Sequence, residues 1–327
     1  MKTLLLSALI LSNPLMASEV DHYTLAYEKI VDIGDILNTR ANTYLKQAVI
    51  SSNAKSQCNE DILYTELKKY FANHTKGQLT IDLLHDDSIP RQVIPLDNSV
   101  YKKWSVWNGF LLGRQKARTS ALALGPIIKV GDVVIGTDKV EHMFGMGFNY
   151  FKGHYLKKKD MVSVLKNGIF KEKTALGGNI LATGVFSYAD LSANFNGMRF
   201  WNHMLQKNDD ILGKEYNVGP YISCKNNQWV LENEIDFKNY FDESMDESVN
   251  CSKFASRSGL KKFVATVEEA NKSRAIDQKA CDSENKSLNK MKNKYDVILE
   301  SDPHKRPLSH WLINTKGHGK VSYFNEF

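Results

Sequence analysis

Two segments of the chain carry the same polar pattern on helices that are otherwise apolar. The first segment carries Asp138, His142 and Gly145, and the second carries Asp190, Asn194 and Gly197. In each set the acid, the amide or imidazole and the glycine follow at i, i+4 and i+7, which places them on one helical face. Since glycine permits close backbone approach, we expect the two strips to meet, with Gly145 opposite Gly197 and His142 near Asp190 or Asn194.

Capping signals mark the beginning of both helices. Asp138 followed by Glu141 matches a capping box, and Ser187 followed by Asp190 matches a side-chain N-cap. Apolar residues occupy nearly all remaining positions of the first helix. A helix that is apolar on most sides is usually buried, so its polar strip should face a cleft or another helix.

The rest of the sequence predicts a mainly α fold. Helical periodicity extends over residues 21–50, 59–73, 99–123 and 160–170, and the alternation in 78–84 predicts one short strand. We divide the chain into a signal peptide (1–18), an N-terminal helical region (19–125), a helical core that carries the site (126–210) and a C-terminal extension packed on that core (211–327).

The N-terminus has the pattern of a secretory signal peptide. Lys2 precedes an apolar run from Leu4 to Leu11, and the small pair Ala17-Ser18 offers a cleavage site. The apolar run is too short for a membrane span. We therefore expect an exported, periplasmic or secreted protein with no membrane span.

Four cysteines remain for an exported chain, which predicts two disulfides. They are Cys58, Cys224, Cys251 and Cys281. Three pairings are possible, and we favour Cys251–Cys281 as a local staple with Cys58–Cys224 as a long-range one. Their spacing does not match a zinc site.

The charge and the tryptophans leave the partner open. A formal net charge of +6 favours anionic surfaces without choosing one of them. Trp104 and Trp107 lie three residues apart, and they suit either core packing or a platform on which sugar rings stack.

Glu172 is the one acid between Asp160 and Asp190. It follows the predicted helix 160–170, where the helix dipole disfavours a negative charge. A partly buried carboxyl group at such a position is suited to general acid catalysis. The alternative is a surface glutamate between Lys171 and Lys173.

The order of features after Glu172 resembles the lysozyme and lytic transglycosylase superfamily. The matching features are Glu172, Gly177-Gly178, the run from Gly184 to Tyr188, and Asn194 with Gly197. Lys173 stands where that superfamily has a serine, and its usual glutamine in the turn is absent. The chain also resembles, within this superfamily, the lysozymes of predatory bacteria that cut de-N-acetylated peptidoglycan.

This resemblance implies a lysozyme-like helical core with a short β segment and a disulfide-stapled C-terminal extension. It implies a glycoside hydrolase in which Glu172 protonates the glycosidic oxygen, with Asp190 or Asp138 as second carboxylate. The residues expected to contact substrate are Ser187, Tyr188, Asn194, His142 and Glu141. The expected partner is the glycan strand of peptidoglycan, with no nucleic acid partner and no cofactor.

Residues 137–147, TDKVEHMFGMG, are similar to the D-K-x-x-H-F pattern of VanZ-like bacterial membrane-associated proteins. The later run SYADLSANFNG is similar to their D-x-x-x-N-x-x-G helix. This resemblance supports contact between the two strips and names no reaction, so it favours a non-enzymatic envelope protein.

A metal-dependent envelope enzyme is a further alternative. Asp138 and His142 at i, i+4, together with Asp190, could ligate one ion. Since capping explains both acids, we expect no metal at this site.

Overall fold

Helices form most of the structure, a computed structural model that describes residues 19–24, 29–109, 124–173, 179–273 and 285–321. The α-helices are α1 Gly34–Asn53, α2 Glu60–Leu67, α3 Gln78–His85, α4 Thr137–Glu141, α5 Gly147–Phe151, α6 Met161–Lys173, α7 Asn179–Ala182, α8 Tyr188–Leu205, α9 Arg257–Ser273, α10 Lys286–Lys294 and α11 Ser309–Leu312. The predicted mainly α fold is confirmed.

The strands are short and form three small sheets. They are β1 Ile127–Val130, β2 Val133–Gly136, β3 Val185–Phe186, β4 Ile222–Lys225, β5 Gln228–Leu231, β6 Lys253–Phe254 and β7 Gly319–Lys320. β1 and β2 form an antiparallel hairpin, as do β4 and β5, while β6 pairs antiparallel with β3 and parallel with β7. β2 leads directly into α4, and β3 leads into α8.

A long helix built from α4, α5 and two π-helical turns packs against α8. The π-helical turns are His142–Met146 and Lys152–Leu156. The backbones touch at two glycines. A β-carbon built on Gly147 would lie 2.5 Å from Cα of Gly197, and one built on Gly197 would lie 2.0 Å from the carbonyl oxygen of Met143. The predicted meeting of the two strips is therefore confirmed.

The glycine expected at this contact was the wrong one. A β-carbon on Gly145 would meet nothing within 4 Å. The N–H of Gly147 donates to the carbonyl of His142, five residues back. A π-helical turn contains more residues than an α-helical turn. The next residue after His142 on the contact face is therefore Gly147, where an α-helical period selects Gly145.

The two helix starts differ in how they are capped. Ser187 Oγ accepts from the N–H of Asp190 at 3.1 Å, which confirms the predicted cap of α8. The predicted capping role of Asp138 is wrong, because α4 begins at Thr137 and its N-cap residue is Gly136, which has no side chain to cap with. Asp138 lies inside the first turn and is directed to Lys139 instead.

The predicted strand 78–84 is wrong, since these residues form α3. Leu79, Thr80, Leu83 and Leu84 are buried together. Buried positions that are one and four residues apart lie on one helical face, so the segment fits a helix as well as its apolar alternation fits a strand. Gln78 donates to Asp82 across one helical turn at 2.8 Å, which stabilises the helical alternative.

The first predicted helix begins later than residue 21. Asp32 Oδ1 accepts from the N–H groups of Gly34 and Gly131 at 2.8 and 3.0 Å, and Ile33 donates to Lys129. These bonds hold the chain extended beside β1, so α1 starts at Gly34. Of the predicted helix 99–123, residues 99–109 form turns, and 110–123 lie outside the described residues.

The main hydrophobic core contains buried residues from Ile33 to Ile89, from Ile128 to Met245 and from Leu288 to Val321, and a second cluster includes Tyr101, Trp104, Phe254 and Phe263. Cys58 and Cys224 form the predicted long-range disulfide, joining the α1–α2 connection to β4. Cys251 is also disulfide-bonded, and its predicted partner Cys281 lies outside the described residues. None of the described helices is both long and apolar enough to cross a membrane.

The glycine contact predicts opposite effects of alanine at two nearby positions. Gly197→Ala should lower the free energy of unfolding by about 3 kcal/mol, because its methyl group would overlap the Met143 backbone. Gly145→Ala should be neutral or raise it by about 0.5–1 kcal/mol, since alanine favours helices. Urea unfolding of both variants checks this, and equal effects would contradict the contact.

Candidate functional site

A fully buried lysine lies at the centre of the contact between the two helices. Lys139 Nζ donates to Asp138 Oδ2, Asp190 Oδ1 and Glu247 Oε1, each at 2.7 Å. An ammonium group has three donors, so all of them are used. We call Lys139, Asp138, Asp190 and Glu247 the lysine cluster.

Three chain segments bring the lysine cluster together. Asp138 and Lys139 lie in the first turn of α4, and Asp190 lies in the first turn of α8. Both carboxylates are thus near a helix N-terminus, where the helix dipole stabilises negative charge. Glu247 follows a 3-10 turn at Glu243–Met245, and its Oε1 also accepts from Ser187 Oγ at 2.7 Å.

A fourth acid from the beginning of the described chain joins the cluster. Glu19 is buried, and its carboxyl group is hydrogen-bonded to that of Glu247. Burial, followed by the charge of Glu247, raises the pKa of Glu19 well above its ordinary value. Burial thus favours the protonated form of Glu19, which can donate a hydrogen bond to the Glu247 carboxylate.

The cluster divides its protons unequally. Burial raises the pKa of Asp138 to about 8, with Lys139 opposing and the charges of Asp190 and Glu247 adding to the shift. Burial also disfavours ionised Glu247, but the charges of Lys139 and His22 and the hydrogen bonds from Lys139 and Glu19 together outweigh it and hold the pKa of Glu247 at about 2. Burial disfavours the ammonium of Lys139, yet the surrounding acids raise its pKa well above the ordinary value. The shifts favour a proton on Asp138 and Glu19 over one on Glu247.

Asp138, Asp190 and Glu247 offer oxygen atoms close enough to one another to hold a metal ion. The set differs from the predicted one, since Glu247 takes the place of His142. Lys139 Nζ is within 2.7 Å of an oxygen of each carboxylate. The chain itself thus supplies the cation at this position.

His142 lies next to the cluster and between two polar groups of α8. Its Nε2 is 3.2 Å from Asp190 Oδ2, and its Nδ1 is 3.1 Å from Asn194 Oδ1. Asp190 thus uses one oxygen for Lys139 and the other for His142. The expected proximity of His142 to Asp190 and Asn194 is confirmed, and the arrangement fixes the imidazole ring from both nitrogens.

Glu172 lies in the last turn of α6 and is 5% exposed. It shares one neighbour, Tyr150, with Asn194. Burial and then the charge of Glu172 raise the pKa of Tyr150, while the amide of Asn194 lowers it. The phenol of Tyr150 therefore lies near both Glu172 and the polar strip of α8.

Two predicted substrate contacts lie apart from this group. Glu141 Oε2 is 2.6 Å from His74 Nδ1, an ion pair that raises the pKa of His74. Tyr188 is buried, with Lys253 Nζ 5.6 Å from its ring centroid, and it lines a separate cavity with His310 and Lys292. Of the predicted site residues, Asp138 and Asp190 belong to the lysine cluster and Ser187 is bonded to it. Glu141 and Tyr188 lie outside it.

Sequence reasoning named Lys139 only within a motif and missed Glu247 and Glu19. A lysine on a helix that is apolar on most sides requires buried acids around it. That requirement could have identified Lys139 as a structural centre. It could not have located Glu247, which comes from an acidic segment 108 positions further along the chain.

Comparison with known proteins returned no matching family model, no matching curated protein and no matching solved structure.

Removal of the buried cation should destabilise the protein strongly. Lys139→Met leaves three buried carboxyl groups without their partner, and we expect a loss of about 3–5 kcal/mol in the free energy of unfolding at pH 7. Without Lys139, burial favours the protonated acids. The variant should therefore become more stable as the pH falls from 7 to 5. Urea unfolding at both pH values tests this, and a variant as stable as the wild type at pH 7 would contradict it.

Asp138 and Glu247 should respond differently to the loss of their charge. Because the pKa of Asp138 is about 8 and that of Glu247 is about 2, Asp138→Asn should cost less stability at pH 7 than Glu247→Gln. We expect a difference of about 2 kcal/mol.

The two variants should also differ in how stability depends on pH. The folded pKa of Glu247 is below its ordinary 4.5, so its contribution is lost as the pH falls from about 4.5 to 2, and Glu247→Gln should lack this loss. The folded pKa of Asp138 is above its ordinary 3.8, so ionisation costs stability as the pH rises from about 4 to 8. Asp138→Asn should lack that cost. Identical pH profiles would contradict the assignment.

Proposed function

We propose that the protein is an exported glycoside hydrolase that cleaves the glycan strands of peptidoglycan, with Glu172 as the general acid. The observation that carries this proposal is the burial of Glu172 in the last turn of α6. Burial disfavours a charged carboxylate, and so does the negative end of a helix dipole. A carboxyl group in such a place is suited to hold a proton near neutral pH and deliver it to a leaving oxygen.

The second group in this proposal is the His142–Asp190 pair. Both oxygens of Asp138 accept hydrogen bonds from Lys139, one from the backbone N–H and one from the ammonium group. Asp138 is therefore a structural residue. Asp190 directs one oxygen to His142. Lys139 and His142 would therefore hold Asp190 as the second carboxylate, which would stabilise the oxocarbenium-like transition state after Glu172 protonates the glycosidic oxygen.

An exposed tryptophan supports a sugar ligand. Trp104 is packed in the core against Tyr101 and Phe254, whereas the side chain of Trp107 is 89% exposed. The loop that carries Trp107 lies against the turn before β3, since a β-carbon built on Gly109 would be 2.1 Å from the carbonyl oxygen of Thr183. An indole face in this place can stack on the apolar face of a sugar ring.

The disulfide bonds of the structure are consistent with an exported protein. Disulfides persist in oxidising compartments such as the periplasm and the extracellular space, and both Cys58–Cys224 and Cys251 are oxidised. Together with the signal-peptide pattern of residues 1–18, this supports a periplasmic or secreted location.

Loss of the acid should abolish digestion of the cell wall. Glu172→Gln keeps the shape of the side chain and removes its titrating proton, so the release of soluble fragments from purified sacculi should fall by about 10²–10⁴-fold. His142→Ala should also lower the rate, since it removes a side chain that holds Asp190 in place.

The matched control is Glu66→Gln. Glu66 is buried like Glu172, lies in α2 outside the proposed site and pairs with Lys55 and Lys69, so this variant should digest sacculi at the wild-type rate. Acetylated and de-acetylated sacculi are assayed side by side. Digestion by Glu172→Gln at the wild-type rate would contradict the proposed role of Glu172.

The lysine cluster favours one second candidate, a non-enzymatic envelope protein. Lys139 and its three carboxylates satisfy one another and are almost completely buried, as a structural centre requires. Under this candidate the folded wild-type protein digests neither form of sacculi.

A further inference from the structure

A cavity of about 230 Å³ lies between the long helix and α6, the helix that carries the proposed acid. The first wall includes Met146, Asn149, Tyr150, Lys152, Gly153 and Lys157. The second wall includes Lys159, Ser163, Val164, Asn167 and Lys171. We call this space the lysine-lined cavity.

The lysine-lined cavity is positively charged and has no acid in its lining. Four of its residues are lysines, namely Lys152, Lys157, Lys159 and Lys171. Among the described residues none of these four forms an ion pair with a carboxylate. The nearby Asp160 is occupied in capping α6, since it accepts from the N–H and the hydroxyl of Ser163.

The positive field extends along the outer side of the long helix. Burial, followed by the charges of Lys152 and Lys76, lowers the pKa of Lys68. Like charges that lie close together repel one another, and a bound anion would reduce that repulsion. The arrangement thus favours a negatively charged ligand.

Neutral polar groups complete the lining. Asn149, Asn167 and Ser163 can donate or accept hydrogen bonds at the rim. The Tyr150 hydroxyl is buried in the wall of the cavity, near the Asn194 amide.

Tyr150 and Lys171 connect the lysine-lined cavity to the proposed acid. Lys171 directly precedes Glu172 in α6. The charge of Glu172 contributes to the raised pKa of Tyr150. A strand cut at Glu172 would therefore place its neighbouring substituents near the lysines.

We infer that the lysine-lined cavity binds carboxylate groups of the peptides attached to the glycan strand. This inference rests on the proposed function and narrows its substrate to a glycan that carries acidic peptide substituents. A compact ammonium binds a carboxylate as a point charge, so several lysines around one space suit flexible peptides with more than one carboxylate.

Binding to sacculi tests the inference separately from cleavage. We compare Lys152→Gln/Lys171→Gln with Lys261→Gln/Lys286→Gln. The control pair removes the same charge from exposed lysines of α9 and α10 that do not line the cavity. The full-length exported proteins are sedimented with intact sacculi and with sacculi whose peptides an amidase has removed.

The cavity variant should bind intact sacculi about tenfold more weakly than the wild type, and the control pair should bind like the wild type. The wild type should lose a similar factor on stripped sacculi and at high salt. Equal binding of the cavity and control variants, or equal binding of the wild type to both kinds of sacculi, would overturn the inference. If Glu172→Gln still digests sacculi while the cavity variant binds weakly, the acid assignment fails and the binding site stands.

Discussion

The fold depends on one ammonium group held in a site that water does not reach. Transfer of a charge from water into a protein interior costs several kcal/mol, and it is offset only when opposite charges and hydrogen bonds are complete. Lys139 meets this requirement, since each of its three donors reaches a different carboxylate at 2.7 Å. Because those carboxylates belong to α4, α8 and the segment after Glu243–Met245, the same contacts fix the position of three elements.

Glycine makes this arrangement possible. The close approach at Gly147 and Gly197 brings the long helix and α8 within backbone contact, so the short side chain of Asp190 can reach Lys139 and His142 together. The indole N–H of Trp201 donates to the carbonyl of Phe144 at 3.0 Å and extends the same seam along α8. Packing and electrostatics are thus satisfied along one helical face.

The site combines a charged centre with buried polar side chains near it. Each donor of Lys139 has an acidic partner within the chain. His142, Tyr150 and Glu172 are also buried, and of these three Tyr150 lines the lysine-lined cavity. In this account Lys139 and His142 hold Asp190 in place, and Glu172 supplies the proton.

Local signals in the sequence predicted the parts of the fold that depend on neighbouring residues. The Ser187 cap, the extent of α8 and the facing strips all follow from spacings within one helix. The π-helical turn at His142–Met146 did not, because an α-helical period selects Gly145 where the structure uses Gly147. The strand predicted for residues 78–84 was wrong for a related reason. Their buried positions are one and four residues apart and fit a helix, while their apolar alternation also fits a strand.

Contacts between residues far apart in the sequence could not be predicted either. The pattern around Asp138, His142 and Asp190 identified the contact, but Glu19 and Glu247 reach it from distant segments that carry no local signal. The Cys58–Cys224 bond was the exception, because a count of four cysteines leaves only three pairings to consider.

A double-mutant cycle between Lys139 and Glu247 tests the central claim most directly. The free energies of unfolding at pH 7 are measured for the wild type, Lys139→Met, Glu247→Gln and the double variant. If the ammonium of Lys139 keeps Glu247 ionised in the interior, removing both charges should cost about 2–3 kcal/mol less than the sum of the single changes. Additive effects, with a coupling energy near zero, would contradict the account.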